Sequence, residues 1–437
     1  MAAPTANPDD EAHPAGLTGP AGAPPSRIAS HPAVGLAWSA LDDAGIRWAL
    51  LRGNADGEKG DIDVLVAPMA SRSLDRVLGK AGFVRLPAIG HADHRFYRTY
   101  DEANDRWLTL DVVTELAFGP GAWLALPGAA EAVLDGRARG ADGWRLAPDD
   151  AFWALLLHDL LDRGNVPPAH RAELHGLIRG AHPDGAIGPW VDGFGGRGTA
   201  ERLIRLVDND ATTAALDEGR GLGRRWARAR PADAIARRAR QAVLRRLRKP
   251  HTALRRRGID VAVLGPDGAG KSTLAASLVA TFPVPTRTIY LGLYGAGLAH
   301  AGRLGFVRRL ARLWRGWLAG LWHRLRGRVV IYDRHAFDTL IGSTRRSPKA
   351  RLRRWVLLHA IPDPALVLVL DAPAELLFQR KGEHDVAILD AQRRGYLSLA
   401  ARLRGAEIID ATRKPEAVRR DAVARTWRRL AGRTARG

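Results

Sequence analysis

The chain has 437 residues, a length that predicts two or three domains rather than one. It contains no cysteine, which excludes disulfide bonds, cysteine-ligated zinc sites and a thiol nucleophile. The formal net charge of +21, carried mostly by arginine, is compatible with an anionic partner. The chain is also rich in Ala and Gly, so the base composition of the genome is the alternative explanation for part of the arginine excess, and nucleic acid is not the favoured partner.

The first segment, residues 1–32, is rich in Pro, Ala and Gly without an apolar period, which predicts a disordered tail. Acidic residues 9–11 stand where a signal peptide would be basic, and no apolar h-region follows. The longest nearly apolar run, 151–157, is much shorter than the roughly 20 residues of a membrane-spanning helix. These features predict a cytoplasmic protein.

The first predicted domain, 33–148, combines helix and strand patterns. Apolar residues recur at helical spacing near its start, with a shared face formed by Val34, Leu36, Ala37 and Leu41. Runs of apolar or β-branched residues predict strands at 48–52, 62–66, 95–100 and 107–114, the second with alternating apolar residues. The pattern predicts an α+β domain.

Aspartates lie on two of these predicted strands. Because successive side chains point to opposite faces of a strand, Asp61 and Asp63 project from the same face. A third aspartate, Asp111, lies within the last predicted strand. Carboxylate oxygens suit Mg²⁺, and magnesium with a nucleoside triphosphate is the usual equipment for nucleotidyl transfer. The three acids predict a magnesium site.

This pattern resembles the minimal nucleotidyltransferase fold, with Asp61, Asp63 and Asp111 at its three carboxylate positions. The resemblance implies a nucleotidyltransferase-like domain. Active members of that family carry Gly-Ser where this chain has Gly53 and Asn54, which puts triphosphate binding in doubt. A degenerate, purely structural domain is the alternative.

A helical connector is predicted over 149–256. Pro148, Asp149 and Asp150 provide helix-start chemistry before an apolar periodic segment. Between Arg220 and Arg257 the chain is dense in arginine and alanine, which is typical of a solvated helix between domains.

The last predicted domain, 257–437, begins with an apolar strand that leads directly into a glycine-rich loop. The loop matches the spacing G-x-x-x-x-G-K-[ST] and precedes a helical segment. Glycines let backbone N–H groups surround a phosphate, and the helix N-terminus adds positive potential. Lys271 is predicted to bridge the β- and γ-phosphates, and Ser272 to bind Mg²⁺. The predicted ATP-binding residues are Gly265, Asp267, Gly268, Ala269, Gly270, Lys271, Ser272 and Thr273.

A second apolar run, 329–332, ends in Asp333 and Arg334. At the end of a neighbouring strand, the carboxylate of Asp333 would lie near the phosphate loop and bind Mg²⁺ or act on the substrate. The guanidinium of Arg334 would grip an acceptor phosphate with two hydrogen bonds. A structural ion pair is the alternative for this Asp-Arg pair. No N-K-x-D run is present, so ATP is the predicted nucleotide rather than GTP.

These residues, in this order, resemble the thymidylate kinase family of nucleoside monophosphate kinases over roughly 260–430. The resemblance implies an α/β fold with a parallel sheet, ATP and Mg²⁺ as cofactors, dTMP as one acceptor, and a homodimer as one allowed assembly. It further implies that Arg380 and Lys381 belong to a lid that closes over ATP, with Arg380 stabilising the transferred phosphoryl group. Solvent-facing helix residues are the alternative for that pair.

The chain departs from that family where an Arg-Glu-Pro-like segment would hold the acceptor nucleotide: here residues 290–297 read Tyr-Leu-Gly-Leu-Tyr-Gly-Ala-Gly. The segment that follows, 304–326, places Trp and Leu on one helical stripe among arginines, namely Leu310, Trp314, Trp317, Leu318, Leu321, Trp322 and Leu325. Such a helix either packs into the core or lies on an anionic membrane.

The sequence therefore predicts an ATP- and Mg²⁺-dependent kinase that acts on a small-molecule acceptor, either phosphorylated or bearing a hydroxyl group. Two alternatives remain open. In one, Asp61, Asp63 and Asp111 carry out nucleotidyl transfer and the kinase domain is accessory. In the other, the chain is a basic adaptor at a membrane or nucleic acid that uses ATP as a switch. Acceptor identity and oligomeric state are left open by the residues.

Overall fold

The computed structural model describes residues 31–52, 61–86, 94–119, 122–233, 235–240, 242–243, 246, 258–292, 302–341, 347–382 and 384–434. Two large β-sheets organise this part of the chain, one in each half of the sequence. Helices cover both faces of each sheet. The predicted α/β class with a parallel sheet is confirmed.

The N-terminal half contains β1 (Trp48–Arg52), β2 (Ile62–Val66), β3 (Val84–Arg85), β4 (Arg95–Asp101), β5 (Arg106–Val113), β6 (Ala117–Phe118), β7 (Leu124–Ala125), β8 (Ala138–Gly140) and β9 (Gly143–Arg145). Seven of these form a mixed sheet in the order β3-β4-β5-β2-β1-β9-β8. Strand β2 runs parallel to β5 and places Asp63 directly opposite Asp111. The sheet thus brings together two acids that lie far apart in sequence.

The helices of this half are α1 (Pro32–Asp43), α2 (Leu74–Lys80), α3 (Ala129–Asp135), α4 (Pro148–Leu157), α5 (Pro168–Leu177), α6 (Gly188–Gly195), α7 (Thr199–Asp208) and α8 (Thr212–Ala229). The six helices α3 through α8 share one apolar core, which also includes residues of β1 and β2 such as Leu51 and Leu65. The predicted boundary at 148/149 therefore falls inside a continuous core. Residues 231–233, 235–240 and 242–243 are also helical.

Two details of the sequence prediction for this half are wrong. Leu36 was expected on the buried face of the first helix, but 62% of it is exposed, because α1 buries only a narrower stripe. Strand β2 was expected to alternate, yet Leu65 is buried together with Ile62, Val64 and Val66. Helices pack on both faces of the sheet, so both sets of side chains are covered.

The C-terminal half contains β10 (Asp260–Leu264), β11 (Thr286–Tyr290), β12 (Val329–Asp333), β13 (Leu366–Asp371) and β14 (Ala406–Asp410). All neighbouring strands are parallel, in the order β11-β12-β10-β13-β14. Strand β10 lies between β12 and β13, and both of these neighbours come later in the sequence, one on each side of it. In open parallel sheets, ligands bind at the carboxyl ends of strands near such a switch point.

The helices of this half are α9 (Lys271–Thr281), α10 (Gly302–Leu325), α11 (Pro348–His359), α12 (Ala374–Lys381), α13 (Val386–Ala400) and α14 (Pro415–Thr434). One core lies under α9, α12 and α14, and the other under α10, α11 and α13. Helix α14 also contacts the N-terminal half, where Trp427 Nε1 donates to the carbonyl of Arg98 at 3.1 Å. The Trp107 ring lies 4.6 Å from that of Trp427.

Helix α10 is half core and half surface. Phe306, Leu310, Leu313 and Trp317 pack against the sheet. A second face of the same helix stays exposed and carries Val307, Trp314, Leu318, Trp322 and Leu325. The stripe predicted from sequence therefore mixes residues of both faces. None of the described helices has the length and apolar character needed to cross a bilayer.

Candidate active site

The glycine-rich loop follows β10 and ends at the first residue of α9. Gly265, Gly268 and Gly270 adopt φ angles of +148°, +85° and +90°, which L side chains rarely take. A Cβ at Gly268 would lie 2.7 Å from the carbonyl oxygen of Leu377, and one at Gly265 would lie 2.7 Å from that of Leu370. Glycine is required at these two positions because the backbone passes so close to β13 and α12.

Lys271 is the buried cation of this loop, with 7% of its surface exposed. Its Nζ donates to the carbonyl oxygens of Gly265 and Pro266 at 2.9 and 2.7 Å and lies 3.4 Å from Asp267 Oδ1. Burial, together with the nearby Arg334 guanidinium, lowers the pKa of Lys271, and Asp267 opposes the shift. These bonds keep the ammonium group at the mouth of the loop, where a phosphate would compete for it.

Arg334 stands opposite Lys271 across Asp267. Its Nη2 donates to Asp267 Oδ1 at 2.7 Å, and its φ of +68° is unusual for a residue other than glycine. This backbone conformation turns the side chain from the end of β12 toward the loop. Burial by itself would raise the pKa of Asp267, but the positive charges of Lys271 and Arg334 outweigh desolvation and hold that pKa below its ordinary value. The result is two cations held around one carboxylate.

The Ser272 hydroxyl donates to Asp333 Oδ2 at 3.0 Å. The other oxygen, Oδ1, is buried without a hydrogen-bond partner among the described residues. Register pairing of β10 with β12 places Asp333 beside Val263, just before the loop. A serine hydroxyl and one carboxylate, completed by phosphate oxygens and water, are suitable ligands for Mg²⁺. These two residues therefore fit the ion.

Asp338 was not identified from the sequence. It lies in the 3₁₀ turn Ala336–Leu340 that follows β12, with 6% of its surface exposed. Its Oδ1 accepts a hydrogen bond from the Tyr396 hydroxyl of α13 at 2.9 Å. Its Oδ2 lies 4.0 Å from Arg334 Nη1 and has no hydrogen-bond partner among the described residues. The only available signal was an acid five positions after Asp333, which lacks a known spacing rule.

The electrostatic setting of Asp338 differs from that of a surface acid. Burial raises its pKa, while the Tyr396 hydroxyl, Arg334 and Lys271 oppose the shift. Beside it, burial lowers the pKa of His335 to about 4, so this imidazole is neutral at pH 7. Neither ring nitrogen of His335 has a partner within the described residues. Buried polar atoms without a hydrogen-bond partner are uncommon in native proteins, and a ligand or an ordered water often supplies the missing partner.

The predicted lid residues lie at the end of α12. Arg380 Nη1 donates to the carbonyl oxygen of Ala411, in the loop after β14, at 2.9 Å. Lys381 contributes to the low pKa of Asp267. His384 Nε2 is 3.5 Å from Asp267 Oδ2. Lys381 and His384 thus face the phosphate loop, whereas Arg380 is bound to a neighbouring loop. Their function as a lid stays a prediction.

The carboxylates of the N-terminal sheet lie close together, but each has its own partner. Asp63 accepts from Arg52 Nε at 3.0 Å, and Asp111 Oδ2 lies 2.8 Å from His94 Nδ1. Burial raises the pKa of Asp61, with smaller effects in the same direction from Asp111 and Asp63. Across the residues that the structure describes, no group of three or more His, Asp or Glu is arranged to hold a metal. The magnesium function of the three acids stays a prediction, and Gly53 with Asn54 lies outside the described residues.

Comparison with known proteins adds little to this geometry. No protein-family model matches the chain, and no curated protein sequence matches it. Among solved structures it is similar to a thymidylate kinase from Candida albicans, at 19% identity and a TM-score of 0.33, over 38% of this chain and 89% of that chain. At this identity and TM-score the similarity carries no argument about the reaction, and the α/β class of the C-terminal half rests on its own strand order.

Proposed function

We propose that the C-terminal half of the chain transfers the γ-phosphoryl group of ATP to a hydroxyl group of a small-molecule acceptor. The observation that carries the proposal is the position of Asp338. Its free Oδ2 lies beside Arg334, which in turn contacts Asp267 next to Lys271. A buried carboxylate near the phosphate-binding cations is suited to receive a proton from an attacking hydroxyl.

The donor would bind along the loop from Gly265 to Thr273. Lys271 would leave its carbonyl partners for the β- and γ-phosphates, and the N–H groups at the start of α9 would surround the β-phosphate. Ser272 and Asp333 would hold Mg²⁺, which when bound neutralises charge on the phosphate oxygens.

The acceptor oxygen forms a bond to the γ-phosphorus, the bond between that phosphorus and the β,γ-bridging oxygen breaks, and ADP leaves. The hydroxyl proton passes to Asp338 Oδ2. Arg334 and Lys271 stabilise the negative charge on the equatorial oxygens during transfer. Tyr396, whose pKa is raised by burial, keeps its proton and orients the carboxylate.

The same carboxylate disfavours a phosphate acceptor of the kind that the family resemblance implies. A nucleoside monophosphate attacks through an anionic phosphate oxygen, which carries no proton that a base must remove near neutral pH. Asp338 Oδ2 would then face a like charge in a buried site, and such contacts are costly. A hydroxyl acceptor instead supplies the hydrogen-bond donor that Oδ2 lacks.

For Asp338→Asn we expect kcat to fall by about 100-fold or more, with little change in the KM for ATP, because the base is lost and the donor site is kept. The raised pKa of Asp338 means that wild-type kcat declines as pH falls through that value, since only the carboxylate accepts a proton. The variant should lack this decline.

The measurement is ATP consumption with Mg²⁺ across sugars, polyols, nucleosides and nucleoside monophosphates, followed by pH profiles on the best acceptor. Asp363→Asn is the control, because Asp363 is an exposed acid of the same half. Phosphorylation of nucleoside monophosphates alone, or wild-type kcat in Asp338→Asn, would contradict the hydroxyl acceptor.

A second candidate is nucleotidyl transfer in the N-terminal half. The observation that favours it is the register of β2 against β5, which sets Asp63 opposite Asp111, with Asp61 electrostatically linked to both. We expect Asp63→Ala to abolish formation of a nucleotidylated product while ATP hydrolysis by the other half is retained. Product analysis with labelled nucleoside triphosphates tests this, with Asp43→Ala, at an exposed acid that ends α1 of the same half, for comparison. Equal product from both variants would exclude the candidate.

A further inference from the structure

The exposed face of α10 carries five large apolar side chains that the proposed function leaves unused. Val307, Trp314, Leu318, Trp322 and Leu325 are each between 43% and 59% exposed. Their spacing of seven, four, four and three residues keeps them on one side of the helix. A different set of residues on the same helix packs against the sheet. The exposed face is therefore not needed for the core.

Basic residues border this face, and acidic residues are absent from the sequence around it. No Asp or Glu occurs between Asp267 and Asp333, so the whole of α10 lacks acidic side chains. Arg308, Arg312 and Arg315 are exposed on the neighbouring side of the helix. The Arg326 guanidinium lies 4.0 Å above the Trp322 ring.

Helix α11 repeats this combination. Leu352 and Trp355 are 62% and 58% exposed, and Lys349, Arg351 and Arg353 are exposed beside them. No acid occurs between Asp338 and Asp363. The Arg353 guanidinium lies 5.7 Å from the ring of Phe306, so α11 is adjacent to the N-terminal part of α10. Both helices cover the same face of the parallel sheet.

We propose that the exposed faces of α10 and α11 form a binding surface for an anionic lipid bilayer. Tryptophan and leucine side chains enter the boundary between headgroups and acyl chains, while arginine and lysine contact lipid phosphates. The absence of acids over both helices favours a strongly anionic surface over a second copy of this basic chain, which would repel it. The mixture with large apolar side chains favours a bilayer over nucleic acid, whose backbone needs only cations.

The surface lies next to the candidate active site. Arg312 of α10 is 5.5 Å from the ring of Tyr290, the last residue of β11, at the same edge of the sheet as the phosphate loop. Contact with a bilayer would bring this edge close to the lipid headgroups. The proposal does not depend on the proposed kinase reaction, because it concerns binding of the whole chain to lipid.

The test is sedimentation of the full chain with vesicles of phosphatidylcholine alone or mixed with phosphatidylglycerol. We expect binding to the mixed vesicles that weakens with salt, because part of the attraction is electrostatic. A triple variant with Trp314, Leu318 and Trp322 changed to Ser should bind about 10- to 100-fold more weakly, since three half-exposed apolar side chains no longer enter the bilayer. A second variant with Arg308, Arg312 and Arg315 changed to Glu should lose binding while keeping the apolar face.

Leu36→Ser on α1 is the matched control, because this exposed leucine lies in the other half of the chain. Unchanged thermal unfolding and ATP turnover of the variants would show that they are folded. The proposal is overturned if the wild type does not bind anionic vesicles, or if the variants bind them as well as the wild type does. It is also overturned if the wild type instead forms a dimer or binds DNA and the triple Ser variant loses that property.

Discussion

Lys271→Ala is expected to lower ATP turnover by about 100- to 1,000-fold, the cost of removing one preorganised charge partner of a transferring group. The side chain is buried, and its ammonium group donates hydrogen bonds to the carbonyl oxygens of Gly265 and Pro266 within its own loop. We expect the thermal midpoint to change little, and ADP release with the best acceptor is the measurement.

Lys80→Ala serves as the control, because Lys80 is exposed at the end of α2. A Lys271→Ala protein that turns over ATP at the wild-type rate would refute the proposed donor site. If Lys271→Ala loses ATP turnover but still binds the acceptor normally in calorimetry, the defect lies in the donor site and not in the hydroxyl-acceptor site inferred from Asp338.

Trp427→Ala is expected to lower the free energy of unfolding by about 3–5 kcal/mol, the range for removing a large aromatic side chain from a core. Trp427 is 2% exposed and packs against Trp107 of the N-terminal half and Phe282 of the C-terminal half. Its indole N–H also satisfies the carbonyl of Arg98. The change therefore opens a cavity and removes the hydrogen bond to that carbonyl.

The measurement is thermal and urea unfolding, followed by calorimetry to see whether one transition splits into two. Trp355→Ala is the control, because this tryptophan is 58% exposed and its loss should change stability by about 0.5 kcal/mol or less. If the two variants unfold at the same midpoint, the aromatic contact between the halves contributes nothing measurable. Two separated transitions in Trp427→Ala alone would show that this contact couples them.

Much of the local structure followed from residue patterns. Strands at 48–52, 62–66, 95–101 and 106–113 lie within a residue or two of their predicted positions, because apolar and β-branched runs bounded by polar turns have few alternatives. The helix starting at Pro148 and the strand-loop-helix around Gly265 were equally evident. Leu36, Leu65 and the α10 stripe were misjudged, because a periodic pattern identifies a face but not how many neighbours will cover it.

The candidate site divides in the same way. Lys271 and Ser272 could be named in advance from the spacing of the glycine-rich loop, and Asp333 and Arg334 from the apolar run that they follow. Asp338 could not, because its importance arises from Tyr396, 58 residues away in the chain, and from an unpartnered oxygen in a buried place.

The sequence by itself determined the glycine-rich loop between a strand and a helix, the predominance of positive charge and the sequence positions of most strands, since these depend on residue type and short-range spacing. Only the tertiary structure decided that Asp63 meets Asp111 across parallel strands, that Trp427 joins the two halves, and that one side of α10 is left uncovered. The physical reason is that pairing and burial are properties of segments distant in the chain, and their free energy is set by what packs against them.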